Sequence, residues 1–330
     1  MTIPELINYQ FATSTDLPPI TGKMMEYWVA GNGVFVRAAR QGLSACFPIN
    51  QCSIRGLPHL TPYFHLQYPL VSARLTLQIL QLAQIEANSN KTTSCIVVDP
   101  DIIEPKNIPR QNFQQSEIGL YKAEVLAARY SLGLGVQISA IAKQFTKKIV
   151  STKWRKLTVI IGCVDNAAAR AEISSCLDQN YSGSLPQIWW LDCGNHANSS
   201  SGQVMLGSTN QFTLEAAFDN LQKPNFCINI PSPSEQHPEL LIPLPEELNS
   251  TGLSCAEIQA RNRQSLFVNQ QVAVIAAEYL LALTLTGSLR KFATYFHNTT
   301  GSCRSLYTSV NSLQKFTDEE IIPKSRSISV

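Results

Sequence analysis

The 330-residue sequence has no C-x-x-C pair. Its nine cysteines stand singly, at positions 46, 52, 95, 163, 176, 193, 227, 255 and 303. An odd, unclustered set excludes a disulfide framework and the two-knuckle zinc site, so no zinc is expected. Reduced thiols fit a cytoplasmic protein. Charge of one sign is lacking too. The formal net charge is +2, which leaves no electrostatic case for nucleic acid or a membrane surface as partner. No apolar run is long enough to span a bilayer. The first residues, MTIPELINYQFATSTD, show neither a basic n-region nor an apolar h-region, so no signal peptide is expected. Glycine is missing over a long interval: none occurs between Gly56 and Gly119.

An apolar fraction of 44% and this length suit one large α/β domain with an extra module. The extra module comes first. Residues 26–30, the Gly31-Asn32-Gly33 turn and residues 34–38 read as strand, turn, strand, because Asn-Gly is a strong hairpin signal. Residues 43–49 and 53–57 read as two further short strands. Residues 70–87 carry a helical apolar stripe through Leu70, Leu75, Leu77, Ile79, Leu80 and Leu82, ended by Asn88-Ser89-Asn90.

From residue 95 the pattern changes. Cys95-Ile96-Val97-Val98 is a short β-branched run of the kind that makes a buried parallel strand. Asp99 and Asp101 stand at its carboxyl end, where open α/β sheets bind ligands. Asn107, Arg110 and Gln111 follow in a proline-punctuated loop, and Lys122 stands near the start of a helix read over residues 117–134. A carboxylate at a strand end accepts hydrogen bonds from ribose hydroxyls, and fixed cations beyond it hold polyphosphate. Leu157–Ile161 reads as a second buried strand that delivers Asp165 and Asn166 at its end. Ile188–Leu191 is a third, followed by an antiparallel partner over residues 203–207. A segment over 222–254 holds six prolines and no periodicity, which predicts a long, exposed crossing able to swing. After it come an apolar helix ending near residue 286, a hairpin over 290–310 turning at Thr299-Thr300-Gly301, and a polar tail.

The order Asp99-x-Asp101, Asn107, Arg110-Gln111, Gly119, Lys122 resembles the signature of the ThiF/MoeB/HesA superfamily. Gly162-Cys163-Val164-Asp165-Asn166 with Arg170, and Leu191-Asp192-Cys193-Gly194 with Ser201-Gly202-Gln203-Val204, match two further family motifs. The likeness runs from about residue 91 to 315 and is nearest to the ThiF family protein of PRTRC systems. The first 80 or so residues resemble the N-terminal part of the PRTRC JAB/MPN-like protein. His59 and His65 lack the H-x-H spacing of a JAB zinc site, so no peptidase activity is implied.

The resemblance implies a doubly wound, Rossmann-like, mainly parallel sheet of ThiF type behind a small β-rich module. The domains are then 1–90 (module plus linker helix), 91–315 (adenylation domain) and 316–330 (tail). It implies an adenylyltransferase that uses ATP and Mg2+ to activate the C-terminus of a small ubiquitin-like or sulfur-carrier protein, working as a homodimer. Asp99, Asp101, Asn107, Arg110, Gln111, Lys122 and Asn166 would bind nucleotide. Arg110, Lys122 and Asp165 would stabilise the reacting phosphate, Asp165 also holding Mg2+. Arg170 would orient the Asp165 loop or form a surface salt bridge. Cys255, at a helix start near Arg261 and Arg263, is the first candidate for a thioester-forming cysteine, and Cys227 the second. Cys163 and Cys193 read as buried small hydrophobes.

One departure matters. The family's G-x-G-(G/A)-x-G loop, which brings backbone N–H groups to phosphates, is absent ahead of Asp99. Either that loop is replaced, or the first β-loop-α unit is gone; the second is preferred. Both weaken nucleotide affinity, and they leave open an alternative: a non-catalytic ThiF-fold module that binds a ubiquitin-like or PRTRC partner.

Overall fold

The computed structural model describes residues 63–66, 95–108, 111, 113–135, 138–150, 158–180, 186–195, 200–218, 227–243, 255–283 and 289–317, with backbone alone for 63–66 and 255–266. The expected N-terminal strands, the helix over 70–87, Arg110, the Cys255 side chain and the tail beyond residue 317 lie outside what is described.

Eight strands form one sheet: β1 (Tyr63–Leu66), β2 (Cys95–Val98), β3 (Ile138–Ile141), β4 (Thr158–Cys163), β5 (Ile188–Asn195), β6 (Ser201–Gly207), β7 (Lys291–His297) and β8 (Ser302–Tyr307). Their order is β3-β2-β1-β4-β5-β6-β7-β8. Pairing is parallel from β3 to β5 and antiparallel from β5 to β8. Three longer helices accompany it: α1 (Lys122–Leu134), α2 (Ala167–Cys176) and α3 (Cys255–Leu281).

The central strands are apolar at successive positions because both faces are covered, and alternate residues serve opposite layers. Cys95 and Val97, Val159 and Ile161, Trp189 and Leu191 join one core, which also takes Ala123 and Leu126 of α1 and Val272, Ile275 and Tyr279 of α3. Val98, Ile160, Ile188 and Trp190 join the other, against Ala169 and Ile173 of α2. Gly162 keeps β4 flush with β5: a Cβ there would lie 2.8 Å from the Trp190 indole nitrogen.

The preferred reading of a lost first unit fails for its strand. Tyr63–Leu66 pairs with both β2 and β4 at the centre of the parallel half. It hides in the sequence because it is four residues long, with Pro62 before it and Pro69 close after. The helix expected from residue 117 starts later. Residues 115–117 make a single 3-10 turn, Gly119 has φ of +88°, and α1 begins at Lys122. Gly135 in the left-handed region ends α1. The hairpin over 290–310 is present as β7 and β8.

The crossing segment is another correction. Residues 227–236 of it are packed rather than swinging, while 238–243 lie mostly at the surface. Cys227, Ile230 and Ser232 are fully buried. Prolines remove N–H donors, but their neighbours supply other bonds. Ser208 N donates to Ile230 O (2.9 Å), Ser232 N to Thr209 O (2.7 Å), and Gln236 Nε2 to Leu206 O (2.9 Å) and Pro231 O (2.8 Å). The hydroxyls of Ser174, Ser232 and Ser234 form a buried chain with 2.9 Å steps.

Candidate functional site

A cavity of about 560 Å3 opens beyond the carboxyl ends of β2 and β4. It is lined by Pro100, Asp101, Ile102, Glu104, Lys106, Asn107, Gln111, Tyr121, Lys122 and Asp165. Five residues singled out from the sequence therefore converge: Asp101, Asn107, Gln111, Lys122 and Asp165. They come from the loop after β2, the first turn of α1 and the loop after β4. Ile102 and Tyr121 were not anticipated. They form an isolated antiparallel bridge and line the cavity as its apolar part.

The loop after β2 is held by its own polar residues. Asn107 is 1% exposed, and its Oδ1 accepts from Glu104 N at 2.8 Å. Gln111 N donates to Asn107 O at 2.8 Å, which fixes the next turn. Gly119 N donates to Ile103 O (2.9 Å), Ile103 N to Leu120 O (2.8 Å) and Lys122 N to Asp101 O (2.9 Å). These bonds place Lys122 opposite Asp101. The Lys122 side chain is 8% exposed, and its Nζ lies 2.8 Å from Asp101 Oδ2.

Asp99 sits behind this pair. It is fully buried and is not among the lining residues. Its Oδ1 accepts from Asp101 N at 2.8 Å, and its Oδ2 has no hydrogen-bond partner. Burial pushes its pKa up to about 7, and the charges of Asp101 and Asp165 add to that. The Asp101 N–H and Lys122 oppose the rise. A strand-end aspartate reads from sequence as an exposed carboxylate; here it is a buried acid, mostly neutral below pH 7.

Asp165 is exposed at the cavity. Two neighbours set its loop. The Asn166 side chain accepts from Ala169 N at 2.8 Å and so caps α2, while its Nδ2 lies 3.2 Å from Asp165 Oδ1. Arg170 Nη2 donates to Val164 O at 2.8 Å, one residue before Asp165. Arg170 Nε lies 3.5 Å from Oδ1 of the fully buried Asp192. Arg170 thus props the Asp165 loop, and its ion pair is a buried one with Asp192 rather than the surface salt bridge of the alternative reading. Burial raises the Asp192 pKa, against the pull of Arg170 and His237.

Asp165, an exposed carboxylate lining the cavity, suits Mg2+, which usually takes one or two carboxylates and completes its shell with phosphate and water. Among the described residues no group of three or more His, Cys, Asp or Glu could hold a metal by protein ligands alone.

The cysteine candidates separate. Cys227 is fully buried, its Sγ lies 3.3 Å from Asn229 O, and burial raises its pKa far above the ordinary thiol range. That environment disfavours thiolate, so Cys227 is no nucleophile in this fold. Cys163 and Cys193 are buried, as expected. Cys255 is the first residue of α3.

An open, mainly parallel sheet with a polar cavity past its strand ends defines the doubly wound α/β class. Residues 93–220 match the model of the ThiF family. No curated protein matches the chain in sequence. Among solved structures, selenomethionine PaaA is 11% identical with a TM-score of 0.46, over 76% of this chain and 64% of that one. E. coli MccB is 15% identical with a TM-score of 0.45, over 76% and 62%. E. coli MccB with ATP is 13% identical with a TM-score of 0.44, over 76% and 64%. The chain spans less than two-thirds of the length of each. No helix among the described residues is long and apolar enough to cross a membrane.

Proposed function

We propose that the chain is an ATP-dependent adenylyltransferase that activates the C-terminal carboxylate of a small ubiquitin-like or sulfur-carrier protein. The observation that carries this reading is the convergence on one cavity of Asp101, Asn107, Gln111, Lys122 and Asp165, drawn from separate motifs of the ThiF-type signature. A carboxylate oxygen of the carrier attacks the α-phosphorus, the α–β phosphoanhydride bond breaks, and pyrophosphate leaves. Lys122 and Arg110 stabilise the charge that gathers on the phosphate oxygens. Asp165 holds Mg2+, which neutralises polyphosphate charge when bound. Asp99, buried behind the cavity wall, braces the loop through the bond its Oδ1 accepts from Asp101 N rather than touching the nucleotide. Cys255 at the α3 start is the residue we assign to a following thioester step, if the carrier takes one.

The finer placement is also proposed: a cytoplasmic, PRTRC-type member with a small β-rich unit ahead of β1. Phe267, Val274 and Leu281 are exposed at seven-residue spacing along α3, which supports a homodimer packed through that helix.

A second reading is a binding module without turnover. It is favoured by the run that follows β1, which has no glycine before Gly119. Losing several charge-assisted hydrogen bonds, each worth about 1.5–3 kcal/mol, predicts ATP affinity of about millimolar at best. Calorimetric titration of the purified chain with ATP, with and without Mg2+, decides between the two. Weak, Mg2+-dependent binding that disappears in Lys122→Met supports the enzyme. No heat at about 10 mM ATP leaves the binding module.

A further inference from the structure

The buried cation that the cavity offers is already occupied. Lys122 Nζ lies 2.8 Å from Asp101 Oδ2 with its side chain 8% exposed, whereas that of Asp101 is 40% exposed. A buried ammonium without a counter-charge is costly, so some anion must stand beside it in the empty protein. The two residues meet through backbone as well as side chain. The bonds from Lys122 N to Asp101 O, from Ile103 N to Leu120 O and from Gly119 N to Ile103 O hold residues 101–103 against 119–122. None of them involves the Asp101 carboxylate. Rotation about the Asp101 side-chain bonds therefore carries that carboxylate towards the open cavity and leaves the backbone in place. Lys122 has less freedom, being rooted in the first turn of α1. Its next available partner is whatever anion enters the cavity.

We propose that Asp101 is an internal substitute for the anionic ligand: its carboxylate holds Lys122 in the empty cavity and competes with an incoming polyphosphate. The proposal rests on the polyphosphate reading of the cavity given above, and it assigns Asp101 a role of opposite sign to direct nucleotide binding. A residue that contacts the ligand loses affinity when neutralised. A competitor gains it. Asp99 does not simply replace Asp101 at Lys122, because its Oδ1 is committed to the Asp101 N–H and burial keeps the acid mostly neutral below pH 7.

Inorganic tripolyphosphate is the probe that reads the cation without involving ribose. The full chain, Asp101→Asn, Lys122→Met and the double variant are titrated by calorimetry at about pH 6, where Asp99 is protonated. Asp101→Asn is expected to bind about threefold to tenfold more tightly, a modest gain because solvent screens the half-exposed pair. Lys122→Met and the double variant are expected to lose binding, which shows that the gain acts through Lys122. Equal or weaker binding by Asp101→Asn, with measurable binding by the parent, overturns the competition and leaves the polyphosphate reading standing. No binding by either at about 10 mM rejects the polyphosphate reading, and the competition with it. Should Asp101→Asn fail to fold, a structure of the parent with tripolyphosphate gives the answer. Asp101 turned away from Lys122 supports the proposal, and an intact 2.8 Å pair beside bound ligand overturns it.

Discussion

Replacing Asp99 by Asn should make the protein more stable at neutral and alkaline pH, and the gain should itself depend on pH. In the folded chain the Asp99 pKa rises from 3.8 to about 7, chiefly through burial. The folded state therefore holds this proton more tightly than the unfolded state does. Between about pH 4 and pH 7 the native protein binds more protons at this site, so stability falls as pH rises through that window and levels off above it. At about 1.36 kcal/mol per pH unit, the interval is worth about 4 kcal/mol, an upper value because local relaxation and water entry lower it. Asn does not ionise and escapes the loss. Its Oδ1 keeps the bond from Asp101 N, and its Nδ2 replaces an Oδ2 that already lacks a partner, so any cost of the amide applies equally at every pH. Urea unfolding of parent and variant, each at a series of pH values from about 4 to 8, isolates the effect. The stability difference should grow in favour of the variant across that range, by about 2–4 kcal/mol. A difference that stays flat would refute the argument that Asp99 is a buried neutral acid.

Gly162→Ala should cost about 1–3 kcal/mol by urea unfolding, since its Cβ would press on the Trp190 indole; a neutral substitution would mean that β4 and β5 are less closely packed. Arg170→Met should cost about 3 kcal/mol near neutral pH by leaving the buried Asp192 without its cation; loss of less than about 1 kcal/mol would mean that Asp192 is neutral with or without Arg170. Native-state alkylation with peptide mapping should leave Cys227 unmodified, while Cys255 labels if it begins α3 as a reactive thiol. Rapid labelling of Cys227 would contradict its burial.

What was legible in the sequence follows from where side chains meet solvent. β2, β4 and β5 are covered on both faces, so each is a continuous apolar run that announces itself. β1 lies between β2 and β4, yet it is short and flanked by prolines, and the absent glycine loop removed the usual marker of its end. The crossing segment misled for a different reason. Serine, glutamine and proline read as solvent-facing, but here they pack by bonding to the backbone carbonyls and amides of the neighbouring loop and β6. The loop after β2 was picked out by its resemblance to the family signature, and Asp101, Asn107, Gln111, Lys122 and Asp165 do share a cavity. What spacing could not convey was the internal state of that cavity. The Asp101–Lys122 pair spans 21 positions in the chain. The burial of Asp99 depends on what surrounds the strand end, which the identity of the strand residues does not encode.

The most direct test of the nucleotide-site account is a crystal structure of the full chain with a non-hydrolysable ATP analogue and Mg2+. The account predicts the triphosphate on Lys122, the Asp101 carboxylate displaced and the metal against Asp165. A nucleotide bound elsewhere on the chain, with this cavity empty and the Asp101–Lys122 pair intact, would contradict it.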